Sequence, residues 1–265
     1  MSAEFPDTET LRAVLALATL APSVRDSQPW NWHIGPRRVD LYVDPRRPPP
    51  RNDPDRRDVL LSCGAALHHC AVALAATGWR AKLRRLPDPA RRDHLAAVEM
   101  VPQSPAELDV TLASAIARRR TDRGVYGSLP VPWEDIALIG ARAARAGVML
   151  RQIDRNQSES GSEWDSAVFL ALGTEGDDDL ARLRAGEATS LVLLSATAMG
   201  LASCPLPEPL EIPETRELVR ADVFGTSGYP QMLVRMGWAA AEAGALIGGT
   251  GTEEPLRGSA SVETQ

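Results

Sequence analysis

Ala21-Pro22-Ser23-Val24-Arg25-Asp26-Ser27-Gln28-Pro29-Trp30 closes an apolar helical run and opens a strand-like segment, Trp30-Asn31-Trp32-His33-Ile34. Its two prolines, its hydroxyls and its glutamine cannot continue a helix. The result is a rigid polar turn, pinned on both sides by regular structure. A turn held in this way presents side chains and backbone amides to a ligand at the edge of the fold.

Upstream, Asp7 caps a helix through Leu11, Val14, Leu15 and Ala18 that ends before Pro22. Downstream, Arg38 to Asp44 alternates polar and apolar residues after a Gly35-Pro36 turn, so the chain from Trp30 onward reads as a hairpin. Pro45 to Asp55 is a surface loop of Pro, Arg and Asp. Arg56 to Trp79 is apolar nearly all round its middle, the mark of a centrally buried helix, and Gly78 ends it. Arg80 to Leu86 and His94 to Val101 supply strands. Ser104-Pro105-Ala106-Glu107 reads as a capping box that starts a helix running to about Arg118.

Another helix covers Trp133 to about Ala146, followed by a polar segment from Ile153 to Ser162. Ser166 to Leu172 is an apolar strand, Asp177 to Ala202 a second long apolar helix, and Met232 to Met236 a closing strand. The repeated order predicts an α+β protein of two related halves. Residues 1–250 form a single domain in this reading, with a first half of about 1–103 and a second of about 104–250; residues 251–265 form a flexible tail.

Composition narrows the function. The 265 residues carry a formal charge of −6, which argues against nucleic acid as a partner. No run approaches eighteen apolar residues, and Met1 to Asp7 lacks a signal-peptide pattern, so a cytoplasmic protein without a membrane partner is expected. Lys82 is the only lysine, so nearly all the basic residues are arginines. Cys63, Cys70 and Cys204 form no CxxC pair and read as buried hydrophobes; His68 and His69 read as packing residues, and no metal site is expected.

Arg119-Arg120-Thr121-Asp122-Arg123 follows one helix and precedes a proline-flanked turn. Clustered guanidiniums with a hydroxyl suit a phosphate. A solvated basic helix terminus, favoured by the helix dipole, has the same composition. Taken alone, these residues leave both readings open.

Together the two segments resemble the FMN-dependent nitroreductase superfamily. Arg119-Arg120-Thr121-x-Arg123 is similar to its Arg-Arg-Ser-x-Arg element, and Ala21-Pro22-Ser23…Ser27-Gln28-Pro29-Trp30 to its Ala-Pro-Ser-x-x-Asn-x-Gln-Pro-Trp element. In ordinary members the arginine element comes first. Here it comes second, which resembles the Acg-like branch, in which two degenerate halves are fused. The likeness extends to Leu172-Gly173-Thr174, Ala185-Gly186-Glu187-Ala188, Gly200 to Leu206 and Leu233 to Gly237.

The resemblance implies a nitroreductase-like sandwich, with a central, mainly antiparallel sheet flanked by helices and two degenerate halves in one chain. It implies one FMN between those halves, NAD(P)H as electron donor, and a small nitroaromatic or quinone-like acceptor. Arg119, Arg120, Thr121 and Arg123 would hold the phosphate and the flavin N1/O2 edge. Ser23, Arg25, Ser27 and Gln28 would line the ring, and Pro205, Leu206 and Glu208 match the segment near N5 and O4. No side chain takes a catalytic role, since the chemistry sits at flavin N5. The protein would be a monomer with pseudo-dimeric halves or a homodimer. A non-catalytic protein that binds and stores FMN is the alternative, and flavin-dependent dehydrogenation of a peptide or heterocycle a third reading. Arg25-Asp26 stands where the branch usually has His-Asn, and Asp26 cannot donate as an amide can. The stretch between Gly147 and Trp164 is shorter than in the branch, so a lid over the flavin is reduced or absent.

Overall fold

The computed structural model describes residues 5–47, 53, 55–153 and 166–240. Most of the polar segment from Ile153 to Ser162, part of the Pro45 to Asp55 loop and the tail lie outside the described residues. Asp7 Oδ1 accepts the Thr10 N–H at 2.7 Å and starts α1 (Thr8–Ala18). After a single 3-10 turn at Val24–Asp26 the chain enters β1 (Trp30–Ile34), paired antiparallel with β2 (Arg38–Val43). The Gly35 N–H donates to Arg38 O at 2.8 Å and closes this hairpin.

Next comes α2 (Arg57–Ala76), which ends where Gly78 takes φ +92°. By length and composition α2 is apolar enough to cross a membrane, yet 78% of its apolar window is buried inside the fold. A helix covered on nearly every side needs that composition. A second hairpin, β3 (Trp79–Arg85) and β4 (His94–Pro102), completes the first half.

The second half opens with α3 (Glu107–Arg118), two residues later than the Ser104-Pro105 signal predicts. Asp109 Oδ2 accepts the Ala106 N–H at 2.9 Å, so this carboxylate, and not the Ser104 hydroxyl, closes the first turn. Then follow α4 (Trp133–Arg145), β5 (Met149–Ile153), β6 (Val168–Thr174), α5 (Asp179–Ala198), β7 (Ala202–Leu206), α6 (Glu208–Glu211), α7 (Pro213–Val219) and β8 (Tyr229–Gly237). Strand β5 is short and half exposed, with Arg151 and Gln152 at its centre. Pro205 lies within β7, an edge strand of its sheet, where a residue without an N–H is tolerated.

The antiparallel strands are divided into two four-stranded sheets, one per half, ordered β1-β2-β4-β3 and β5-β6-β8-β7. Each half is thus the same hairpin, long helix, hairpin unit. Helices α2 and α5 are both 20 residues long and make the most extensive contact between any two elements. Leu61 of α2 packs into the core of the second half, and Leu183, at the same helix position in α5, packs into the core of the first. The halves therefore exchange equivalent side chains across a pseudo-twofold axis. The contact between them is built as a core and not as a surface.

Candidate cofactor site

Between the halves lies a cavity of about 440 Å³, a size suited to an organic cofactor or drug-sized ligand. The first half contributes the turn from Ala21 to Gln28 and the α2 residues Leu61, Ser62 and Ala65. From the second half come the chain around Arg119, Thr121 and Arg123, together with Thr189, Met232 and the end of β7.

The turn is locked to α2. The Val24 N–H donates to Ser62 Oγ at 3.0 Å, and Ser62 in turn donates to Asp58 O at 2.6 Å. Ser23 Oγ accepts the Gln28 N–H at 3.1 Å. Arg25, Asp26 and Gln28 take φ of 54°, 54° and 44°, the left-handed region that non-glycine residues rarely adopt. Three such residues in one turn persist because the surrounding bonds over-determine them, as is common at ligand sites. Asp26 Oδ1 accepts from Gln28 Nε2 at 3.2 Å, so the acid that replaces an amide donor is used as an acceptor.

Beyond α3 the backbone straightens: Arg119 has φ −56° and ψ 130°, and Thr121 bridges in parallel to Ser203 beside β7. In extended chain alternate side chains share a side. Arg119, Thr121 and Arg123 face the cavity. Arg119 Nη1 lies 3.5 Å from Thr121 Oγ1, and among the described residues Arg119 makes no ion pair. Its Nε is buried without a hydrogen-bond partner. Burial, then the neighbouring Arg120, push its pKa below the usual guanidinium value. Arg123 is exposed and reaches Glu208 at 3.8 Å.

The cavity runs along α2. On that helix its lining residues are Leu61, Ser62 and Ala65. His69, further along α2, is buried, and burial, then the neighbouring His68, push its pKa down to about 3. Arg25 Nη1 lies 3.1 Å from Asp58 Oδ2, and Nη2 bonds to Glu211 of α6. Burial raises the Asp58 pKa to about 6, with Asp53 and Glu211 adding to the shift and Arg25 and Arg57 opposing it. Arg57 turns away, donating to Pro230 O and Gln231 O at 2.8 and 2.6 Å; burial lowers its pKa to about 10.

Ser23, Arg25, Gln28, Arg119, Thr121, Arg123, Pro205 and Glu208 are brought together around this one space. Three residues from the sequence reading are not. Arg120 folds back on α3, donating to Ala117 O and Arg119 O at 2.8 Å each, because helix ends leave carbonyls unpaired and alternation turns it away from the cavity. Leu206 alternates with Pro205 and Pro207 and packs beside Leu210, Phe224 and Leu233. Ser27 is used through its backbone: its carbonyl accepts from Arg47 at 3.0 Å. Sequence reasoning missed Ser62 and Thr189. The only local signal is that each is a hydroxyl on the buried part of a long helix, which does not single it out.

The equivalent place on the other side of the axis is filled. Glu187 holds in α5 the position that Ala65 holds in α2, and Arg85 ends β3, paired with Ala96 of β4. Arg85 Nε and Nη2 bond Glu187 Oε1 and Oε2 at 2.6 and 2.7 Å. An ion pair thus stands where its counterpart leaves a cavity.

Two hairpin–helix–hairpin halves with a cleft between them define a nitroreductase-like protein. No family model matches the chain. It is 47% identical to "Putative NAD(P)H nitroreductase Rv3131" of Mycobacterium tuberculosis, across 90% of this chain and 88% of that protein. It is 30% identical to "Putative NAD(P)H nitroreductase acg" of the same organism, across 88% and 90%. A solved structure titled "putative nitroreductase" from Anabaena variabilis shares the fold over 89% of this chain and 90% of its own, with TM-score 0.54 and 10% identity. The chain belongs to the nitroreductase superfamily, on its Acg-like branch.

Proposed function

We propose that this protein is an FMN-binding oxidoreductase holding one flavin in the cavity between its halves, using NAD(P)H to reduce a small nitroaromatic or quinone-like acceptor. The observation that carries the reading is Arg119: a guanidinium with a buried, unpartnered Nε, beside Thr121, in a cavity that meets the turn from Ser23 to Gln28. A buried donor of this kind calls for an anion, and a phosphate fits its planar fork. Relatives named as NAD(P)H nitroreductases support the same assignment.

When bound, FMN supplies hydride acceptance from the nicotinamide and delivery to the acceptor. The chain's own residues bind, orient and exclude water. Arg119 and Thr121 hold the phosphate, with Arg123 at the rim. Ser23 and Ser62 keep the strained turn in place, which fixes Gln28 and Asp26 at the polar edge. Leu61, Ala65, Pro205, Pro207 and Met232 give the cavity apolar walls. On the same reading each chain is its own pseudo-dimer and works on small molecules in the cytoplasm.

Purified protein should be yellow and should release FMN on denaturation. Anaerobic mixing with NADPH should bleach the flavin within seconds. A bound flavin that stays oxidised with both NADH and NADPH would establish the storage role instead. A colourless protein that gains no thermal stability from added FMN would remove the cofactor reading altogether.

A further inference from the structure

Gln28 lines the cavity in a backbone conformation that its neighbour opposes. It stands at φ 44°, in the left-handed region, and Pro29 follows it. A residue before proline is pushed toward extended backbone with negative φ, so two effects disfavour the same position. Three bonds hold it there. Its N–H donates to Ser23 Oγ at 3.1 Å, its side-chain Nε2 donates to Asp26 Oδ1 at 3.2 Å, and Pro29 O accepts the Asp44 N–H at 2.8 Å. Strain pinned on both sides of a cavity residue points to a position kept for a ligand.

The bond to Asp26 also decides which way the Gln28 amide faces. A carboxylate accepts hydrogen bonds and cannot donate them, so the amide atom turned to it is the nitrogen. The arm of the amide turned from Asp26 then ends in Oε1, which has no hydrogen-bond partner among the described residues. Arg25, the guanidinium in the same turn, is committed to Asp58 and Glu211 and does not take this oxygen. Both Asp26 and Gln28 line the cavity, so the unused oxygen belongs to the wall that meets a ligand.

We propose that Asp26 is a positioning residue for Gln28: it turns the amide so that Oε1 receives an N–H of the ligand, and this edge of the cavity selects ligands with a lactam or imide N–H. The proposal rests on the flavin reading and deepens it, since the pyrimidine edge of a flavin carries one such N–H, at N3, between two carbonyls. An amide free to turn would serve a carbonyl as readily as an N–H. The pinned amide serves only the N–H.

The test reads binding to oxidised protein without reductant, so it is separate from turnover. Flavin-stripped chain is titrated with FMN and with 3-methyl-FMN, which lacks the N3 hydrogen, and flavin fluorescence is followed. The parent should bind FMN about tenfold or more tighter than the methylated form. Asp26→Ala should narrow that ratio several-fold, chiefly by weakening FMN, because the amide is then free to turn. Asp26→Asn, whose side-chain carbonyl can still accept from Nε2, should keep the ratio within about twofold of the parent. Gln28→Leu should narrow the ratio as Asp26→Ala does. Equal affinities in the parent would overturn the proposal. So would a ratio unchanged in both Asp26→Ala and Gln28→Leu, which assigns the preference to the bulk of the methyl group. A parent that binds neither flavin is a different result: it removes the flavin reading, and the proposal with it.

Discussion

Gly64 of α2 and Gly186 of α5 occupy the same position in their helices and meet face to face. A Cβ on Gly64 would lie 2.1 Å from Leu183 O, and a Cβ on Gly186 would lie 2.1 Å from Leu61 O. Each glycine thus lets one helix backbone rest on the other, and the two contacts are images of one another across the pseudo-twofold axis. The contact between the two halves thus lies inside the core of a single chain.

Because both contacts are with backbone, neither can give way by a side-chain rotation. Gly64→Ala and Gly186→Ala should each destabilise the protein by about 1–3 kcal/mol or more, and by similar amounts. Urea denaturation measures this. A variant with unchanged stability would mean that the helices are less closely apposed than the structure places them.

The Arg85–Glu187 pair makes a second prediction. Burial pushes the Glu187 pKa up while Arg85 pulls it down, so the carboxylate depends on its partner. Arg85→Ala should cost about 3–5 kcal/mol, since it leaves a buried charge without compensation. With its folded pKa raised further, Glu187 in that variant is relieved by protonation, so the deficit should shrink as pH falls from 8 to 5. Arg85→Met with Glu187→Leu should recover most of the loss.

Asp58 gives a pH signature near the site. Its folded pKa of about 6 stands above the ordinary carboxylate value, burial being the largest cause. Between those two values the folded state binds the proton that the unfolded state has released. The Asp58 contribution to stability is therefore present at low pH and lost as pH rises through about 6. Subtracting the pH–stability curve of Asp58→Asn from that of the parent should isolate this slope. A difference curve flat from pH 4 to 7 would contradict it.

Much of this was legible in the sequence because it is local. Asp7 as a cap, the Gly35-Pro36 hairpin and the two apolar helices each follow from spacing and capping within a few residues. The order of the Gln-Pro-Trp and arginine elements carried the fused-halves reading. What was not legible depends on facing. Arg120 and Leu206 sit inside the right segments but on the wrong side of an extended chain, and one residue of register decides that. Ser62 and Thr189 were hidden because their role comes from a helix crossing, set by glycines more than a hundred residues apart. The Arg25–Glu211 ion pair joins α6, a four-residue helix, to the first half, and nothing in the local sequence signals that contact.

The central claim is that the cavity is a flavin site anchored by Arg119. The direct measurement is the FMN dissociation constant of the flavin-stripped chain, compared with Arg119→Ala and Arg120→Ala. Arg119→Ala should weaken binding roughly 10- to 100-fold through loss of a charge-assisted phosphate contact. Arg120→Ala, whose side chain caps α3, should stay within about threefold of the parent. Equal affinities for the parent and Arg119→Ala, or a larger loss in Arg120→Ala, would contradict the account.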